Sequence, residues 1–305
     1  MYDDFDTVIE RIESENRITT AMTYRNTMNA IKKFKPDRTF VHSEITPAFL
    51  AAFQNWMVGK GRSLTTVSIY VRCLRAILNE AIQKGKMSRD LYPFGRYRYQ
   101  VPSKKNIKKA LNKATLAKIY YYDVGENEKQ QIAKDYWIFS YLCNGANLKD
   151  ICNLRIRDIN NDRITFVRAK TSASSHVQKP IVTVLTEPMK EIINRQGNLD
   201  GASDDYVFPV LKHGLNHRQQ LFRIRDQIRL INTYMKEIAT ALEIPEKVTT
   251  YTARHSFATM LKRGGASKEF ISESMGHSNQ KTTEVYLDSF EDEDKAKWAG
   301  VLTDF

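Results

Sequence analysis

Between Lys84 and Lys113 the sequence holds ten basic residues and one acid, Asp90, interleaved with Tyr92, Phe94, Tyr97 and Tyr99 and interrupted by Pro93 and Pro102. A stretch this charged cannot form part of a core, and its prolines prevent one continuous helix. A chain of 305 residues also exceeds the usual size of a single hydrophobic core. The chain is therefore expected to divide around this stretch, into a helical domain over residues 1–95, a basic connection over 96–110, a second domain over 111–287 and a tail over 288–305.

Both sides of the connection carry helical periodicity. Tyr24, Met28, Ile31 and Phe34 recur at helical spacing, and Thr46 followed by Pro47 reads as an N-cap and first helical position. A longer helix is predicted from Leu64 to Ile82, with Tyr70, Val71, Leu74, Ile77 and Leu78 on its apolar side. Its other side places Thr65, Ser68, Arg72 and Arg75 at i, i+3, i+7 and i+10, a stripe that suits phosphates or a plain solvated face. In the second domain, helical patterns fall near 115–122, 127–143, 187–195, 217–243, 252–263 and 267–275. The runs ITFVRAK (164–170) and PIVTVL (180–185) predict a β-hairpin. The fold class expected is mostly α with a small antiparallel β-sheet.

Charge narrows the partner. The net charge is +12, but residues 1–16 hold six acids and one base and residues 288–305 six acids and two bases, so residues 17–287 alone carry +21. Such a surface favours a polyanion, and double-stranded DNA is the first candidate. Arg96, Arg98, Lys104 and Lys105 of the connection are the expected backbone contacts. Cys73, Cys143 and Cys152 are odd in number and sit in apolar patterns, which suits reduced thiols in a cytoplasmic protein. No apolar run approaches the ~18 residues of a membrane span. His213 and His217 stand at i, i+4 without an acidic ligand motif, and no Gly-rich phosphate loop occurs, so neither metal nor nucleotide cofactor is expected.

The chemistry concentrates in 251–290, YTARHSFATMLKRGGASKEFISESMGHSNQKTTEVYLDSF. Arg254 and His255 open one helix, Gly276-His277 closes the next, and Tyr286 follows His277 by nine residues. This stretch resembles the tyrosine recombinase (phage integrase) family, whose pattern is His-x-x-Arg-His, a Gly-His pair and a Tyr nine residues after that His. Integrases of conjugative transposons and related mobile elements are the nearest in phrasing, through TARHSFAT and ISESMGHS, and the resemblance spans about Arg17 to Asp288. It implies a two-domain, C-shaped DNA clamp, with a SAM-like core-binding domain joined by the basic linker to the catalytic domain. Tyr286 would be the nucleophile of a 3′-phosphotyrosine intermediate. Arg254 and His277 would clamp the scissile phosphate, and Lys170, after the short strand, would protonate the leaving 5′ oxygen. His255 is expected to pack and orient its helix. Four protomers on paired sites, monomeric without DNA, and accessory DNA-bending or directionality proteins are the partners implied. The apolar tail residues Trp298, Val301, Leu302 and Phe305 would dock on a neighbouring protomer or pack within the chain.

Two positions depart from the pattern. Tyr251 replaces the first histidine, retaining a hydrogen-bonding group without a base that titrates near neutral pH. Asn147, in CNGANLKDI, stands where the family's first catalytic arginine should open a helix. Asn147-Leu148-Lys149-Asp150 has the spacing of a capping box, and Lys149 and Arg155 are the local candidates for a compensating cation. Besides a recombinase, the sequence leaves open a non-catalytic DNA-binding protein and a type IB topoisomerase-like enzyme.

Overall fold

A computed structural model describes residues 1–37, 39–103, 110–169, 179–277 and 280–287. Lys104, Lys105, Lys170 and the tail residues Trp298, Val301, Leu302 and Phe305 lie outside the described residues. The chain divides into two compact units, Met1–Asn106 and Ile107–Phe305.

The first unit is built on α1 (Tyr2–Ser14), α2 (Ile18–Phe34), α3 (Pro47–Gly59) and α4 (Leu64–Gln83). The acidic start of the chain is part of this core. Phe5, Val8, Ile9 and Ile12 line one buried face of α1, while Asp3 and Asp4 in its first turn complement the helix dipole. The α3 start follows the predicted cap, with the Thr46 hydroxyl accepting from Phe49 N at 3.1 Å and Pro47 leading the helix. Phe34, Phe49, Phe53 and Trp56 form an aromatic cluster whose ring centres lie within 6.4 Å of their neighbours.

On α4, Thr65, Arg72 and Arg75 are exposed, but Ser68 is buried beside Val67 and Val71 and does not belong to a surface stripe. The division between units falls inside the expected 96–110 connection, and the first residues of that connection are packed. Phe94 and Tyr99 are buried against the first unit, and the Tyr99 hydroxyl donates to Gln54 Oε1 at 2.7 Å. Arg98 turns back to donate to the carbonyl of Asp90 at 3.0 Å and to that of Tyr92, so it holds this loop together. Arg96 stays exposed beside Tyr97.

The second unit contains α5 (Lys113–Tyr121), α6 (Glu128–Leu142), α7 (Leu148–Cys152), strands β1 (Ile159–Asn160), β2 (Arg163–Phe166) and β3 (Ile181–Val184), then α8 (Glu187–Gln196), α9 (His217–Ala241), α10 (Thr250–Arg263), α11 (Lys268–Ser274) and α12 (Gln280–Glu284). Helix α6 is the centre, packed by α8, α9 and α10. Its Trp137 is 1% exposed and donates from Nε1 to Thr249 O at 2.9 Å, which ties the core to the start of α10. The antiparallel sheet runs β1-β2-β3, with Ile164 opposite Thr183 and Phe166 opposite Ile181 facing inward. The hairpin matches the sequence pattern, whereas the two-residue β1 is too short to leave one. All three cysteines are free and buried. Among the described residues no helix is long and apolar enough to cross a membrane.

Candidate active site

The site is assembled from four segments that are far apart in sequence. Helix α10 supplies the first. Thr249 N donates to the Thr252 hydroxyl at 3.0 Å, fixing the helix start so that Tyr251, Arg254 and His255 share its first two turns. Arg254 is 1% exposed. Its Nη1 donates to Gly145 O at 2.6 Å, and its Nη2 to Met275 O and His277 Nε2, both at 3.0 Å. Among the described residues its buried Nε has no acceptor. A cation this enclosed is costly unless its fork is satisfied, and these carbonyls satisfy most of it.

The turn between α6 and α7 is shaped to meet that arginine. Asn144 and Gly145 both have positive φ, +51° and +62°. A Cβ on Gly145 would lie 3.1 Å from Arg254 Cα and 3.2 Å from its Cγ, so glycine permits both the left-handed backbone and the close approach. Asn144 secures the turn to β3, donating to Val182 O at 3.1 Å and accepting from the Thr183 hydroxyl at 3.2 Å.

The third segment follows α11. Gly276, at φ +63°, ends that helix and His277 N returns to Ser272 O at 2.9 Å. His277 Nε2 faces the Arg254 donor and is therefore the acceptor, which leaves the proton on Nδ1, directed at the Thr283 hydroxyl 2.9 Å away. Tyr286 closes the arrangement. Its carbonyl accepts from the Thr259 hydroxyl at 3.2 Å and lies 3.4 Å from His255 Nδ1, so His255 and Thr259 hold its backbone. Its ring stacks on His277 at 5.3 Å and lies 5.2 Å from the Arg254 guanidinium carbon. Its hydroxyl accepts from that of Tyr251 at 3.1 Å.

The fourth segment is one that sequence reasoning missed. Beyond β2, Arg168 is buried, with Nη1 donating to Gly276 O at 3.2 Å. A Cβ on Gly276 would sit 2.8 Å from Arg168 Cδ and 2.6 Å from Ile181 Cδ1, so the Gly of the Gly-His pair makes room for this side chain. The next residue, Ala169, donates its N–H to the buried Asp150 Oδ1 at 2.8 Å and pins the strand exit. The signal was present in ITFVRAK: period-two alternation puts Arg168 on the inward face with Ile164 and Phe166, and an inward arginine needs a reason.

Asn147 takes the N-cap position of α7 through its backbone carbonyl, 2.8 Å from Asp150 N, but its side chain makes no capping bond. The expected capping box fails because the Asp150 carboxylate is engaged by Ala169 instead. Nor is Arg155 the compensating cation: it donates to Asp204 O at 2.6 Å and lies 3.5 Å over the Tyr206 ring. Lys149 is exposed.

Burial, then the charge of Arg168, push the Arg254 guanidinium below its ordinary pKa. Burial alone would raise the Tyr286 phenol, but the hydrogen bond from Tyr251 and the charges of Arg254 and Arg168 outweigh it and leave the phenol below its usual value. Tyr251 moves the other way, raised by burial and by its bond to Tyr286. The cluster therefore favours negative charge on one phenolic oxygen.

With this geometry in view, two family models match the chain, the phage integrase SAM-like domain over residues 1–101 and the phage integrase family over residues 122–293. The chain belongs to the phage integrase family. The first match begins at the N-terminal helix, ahead of the Arg17 start that the motif resemblance suggested. Tyrosine recombinase XerC of Thermodesulfovibrio yellowstonii is 24% identical over 276 residues, covering 87% of this chain and 84% of that protein. A tyrosine recombinase of Pseudothermotoga lettingae is 28% identical over 161 residues, and XerD of Halalkalibacterium halodurans 31% identical over 144 residues. These two matches span about half of each relative, 49% and 44%.

In fold, the chain is similar to a lambda integrase dimer bound to a COC′ core site, with TM-score 0.68, 16% identity and coverage of 95% of this chain and 98% of that one. It is equally similar to the Tn1549 transposon integrase in complex with a circular intermediate DNA, with TM-score 0.68, 16% identity and 98% of both chains covered. The fold is thus the two-domain integrase fold, mostly helical with a small antiparallel sheet.

Proposed function

We propose that this chain is a site-specific DNA recombinase of mobile-element type, cutting and rejoining duplex DNA through Tyr286. The observation that carries the reading is the Tyr286 phenol beside the buried Arg254 guanidinium, within a cluster that lowers its pKa. In cleavage the Tyr286 oxygen bonds to phosphorus as the bond to the 5′ oxygen breaks, leaving a 3′-phosphotyrosine and a free 5′-hydroxyl. Retaining the phosphate as a covalent ester lets the hydroxyl of another strand later attack it, so rejoining needs no external energy source. A phenol leaves tolerably in that reverse step, given its ordinary pKa near ~10.

Arg254 neutralises charge developing on the non-bridging oxygens, its Nε lacking an acceptor among the described residues. His277 would join it as a donor on gaining a second proton, its Nε2 then turning from Arg254 to the phosphate. Arg168 supplies the second guanidinium that Asn147 lacks, from the exit of β2 rather than the start of α7 but to the same site. Lys170, two residues beyond Arg168, is the proposed general acid for the departing oxygen. The partner is double-stranded DNA, supported by the +21 charge of residues 17–287 and by the DNA-bound states of the structural neighbours. Exposed Thr65, Arg72, Arg75 and Arg96, with Lys104 and Lys105, are the proposed backbone contacts. Four protomers on paired sites, with accessory bending or directionality proteins, complete the proposal.

The test is covalent trapping on a nicked suicide substrate carrying the end of the mobile element. The unaltered protein should form a denaturant-resistant adduct, while Tyr286→Phe should bind the same DNA with unchanged affinity and form none. An undiminished adduct in Tyr286→Phe defeats the assignment.

A further inference from the structure

The Tyr251 hydroxyl meets the oxygen that would react, and it does so from a side chain held in place. Tyr251 stands on the first turn of α10, three residues before Arg254 and four before His255. Its ring meets His255 edge-on, with centres 4.8 Å apart at 73°, and lies 5.8 Å from the Tyr286 ring. From there its hydroxyl donates to the Tyr286 oxygen at 3.1 Å. We infer that Tyr251 is the hydrogen-bond donor that positions the Tyr286 oxygen for attack on phosphorus and stabilises it as a phenolate in both directions of the reaction. This rests on the recombinase reading above.

A tyrosine can do this where a neutral histidine at the same place would have to choose between donating and accepting. A phenol that keeps its proton is a donor throughout the working pH range. The direction of the bond follows from the surroundings. Among the described residues, Arg254, His255 and Tyr251 on α10 and His277 after α11 face Tyr286, the charge of Arg168 beyond β2 reaches it, and the buried acid whose charge acts on Arg254, Asp150, is engaged by Ala169. Arg254 and Arg168 act on both phenols, but in Tyr286 they and the Tyr251 bond outweigh burial, whereas in the half-exposed Tyr251 desolvation and the bond to Tyr286 prevail, so Tyr286 ionises first and Tyr251 remains the donor.

The proton count closes without a dedicated base. The Tyr286 proton leaves to solvent, its oxygen forms the bond to phosphorus, the bond to the 5′ oxygen breaks, and that oxygen takes the proton of Lys170. Tyr251 retains its own proton. In rejoining, the 5′-hydroxyl attacks, its proton returns to Lys170, and the departing Tyr286 oxygen accepts the Tyr251 hydrogen bond before regaining a proton from solvent.

Tyr251→Phe tests this with two readouts. The first needs no DNA: NMR of tyrosine labelled at the ring carbon bearing the hydroxyl, with the Tyr286 resonance assigned by its loss in Tyr286→Phe, follows that phenol through its titration. In Tyr251→Phe the titration should move to higher pH. The second is single-turnover cleavage, which should fall about 10- to 100-fold at neutral pH, the factor that corresponds to losing a hydrogen bond to a charged group. The loss should shrink as pH rises. An unchanged Tyr286 titration in a folded Tyr251→Phe protein overturns the inference, whatever the rate does. So does a loss of cleavage that is equal at all pH values, or an adduct on Tyr251 in Tyr286→Phe. Failure of the unaltered protein to cleave would count against the recombinase reading and leave the titration as the judge of the pair.

Discussion

Replacing Arg168 with alanine removes a guanidinium that donates to Gly276 O at 3.2 Å and whose charge bears on both Arg254 and Tyr286. If Arg168 is the second cation of the phosphate clamp, the transition state loses one preorganised donor, and cleavage should fall by about 10² to 10³. The pH dependence has a definite sign. Removing a nearby positive charge raises the Tyr286 pKa, so the rising limb of the rate against pH should move to higher pH and the deficit should be larger at neutral than at alkaline pH. Single-turnover cleavage of a half-site suicide substrate measures both effects. Arg168→Lys, which keeps charge but not the bidentate fork, should lose less. The decisive comparison adds Asn147→Arg. If the two positions substitute for each other, Asn147→Arg should recover much of the rate in Arg168→Ala and change the unaltered protein little. Equal effects in both backgrounds, within the about twofold error of additive sites, would refute the substitution. Cleavage by Arg168→Ala at the unaltered rate would remove Arg168 from the clamp altogether.

Gly276→Ala should destabilise the protein, because its Cβ would lie 2.6 Å from Ile181 Cδ1 and 2.8 Å from Arg168 Cδ at φ +63°. Strain and overpacking together suggest about 2–5 kcal/mol in urea unfolding, and a stability equal to the unaltered protein would contradict the packing described. Arg72→Ala and Arg75→Ala, both exposed on α4, should each flatten the slope of log affinity against log salt by about 0.9 if each meets one phosphate. Arg98→Ala, whose guanidinium is spent on the Asp90 and Tyr92 carbonyls, should leave that slope alone and lower the melting temperature of the first unit instead. A flattened slope in Arg98→Ala would return it to the DNA surface. Neutralising Lys104 and Lys105 together should flatten the slope by about one for each phosphate no longer neutralised and weaken all sequences alike.

What the sequence disclosed follows from the range of the interactions. The α3 cap and the β2–β3 hairpin rest on neighbours in the chain, and both were legible. Arg254, His277 and Tyr286 were legible because thirty-odd residues of fixed spacing encode one local unit, α10 to α12. Helix α1 was hidden by its charges, although Phe5, Val8, Ile9 and Ile12 recur at helical spacing. Ser68 sat on a plausible surface stripe, yet the face of α4 that packs extends far enough round the helix to cover it. The Asn147 capping box failed for a reason no local pattern contains: Asp150 is recruited by a backbone N–H nineteen residues away. Arg168 is the largest omission, since its partner Gly276 lies 108 residues further on and only strand alternation pointed inward.

Recombination of this kind requires that Tyr286 become covalently joined to DNA. The most direct test of that bond is mass spectrometry of the protease- and nuclease-trimmed adduct from the unaltered protein on a suicide substrate of the element end. One modified peptide is expected, the one containing Tyr286, carrying a nucleotide through its 3′-phosphate, with a free 5′-hydroxyl on the released strand. A nucleotide on any other residue, a 5′-phosphate linkage, or no adduct on a site whose DNA the protein demonstrably binds would contradict it.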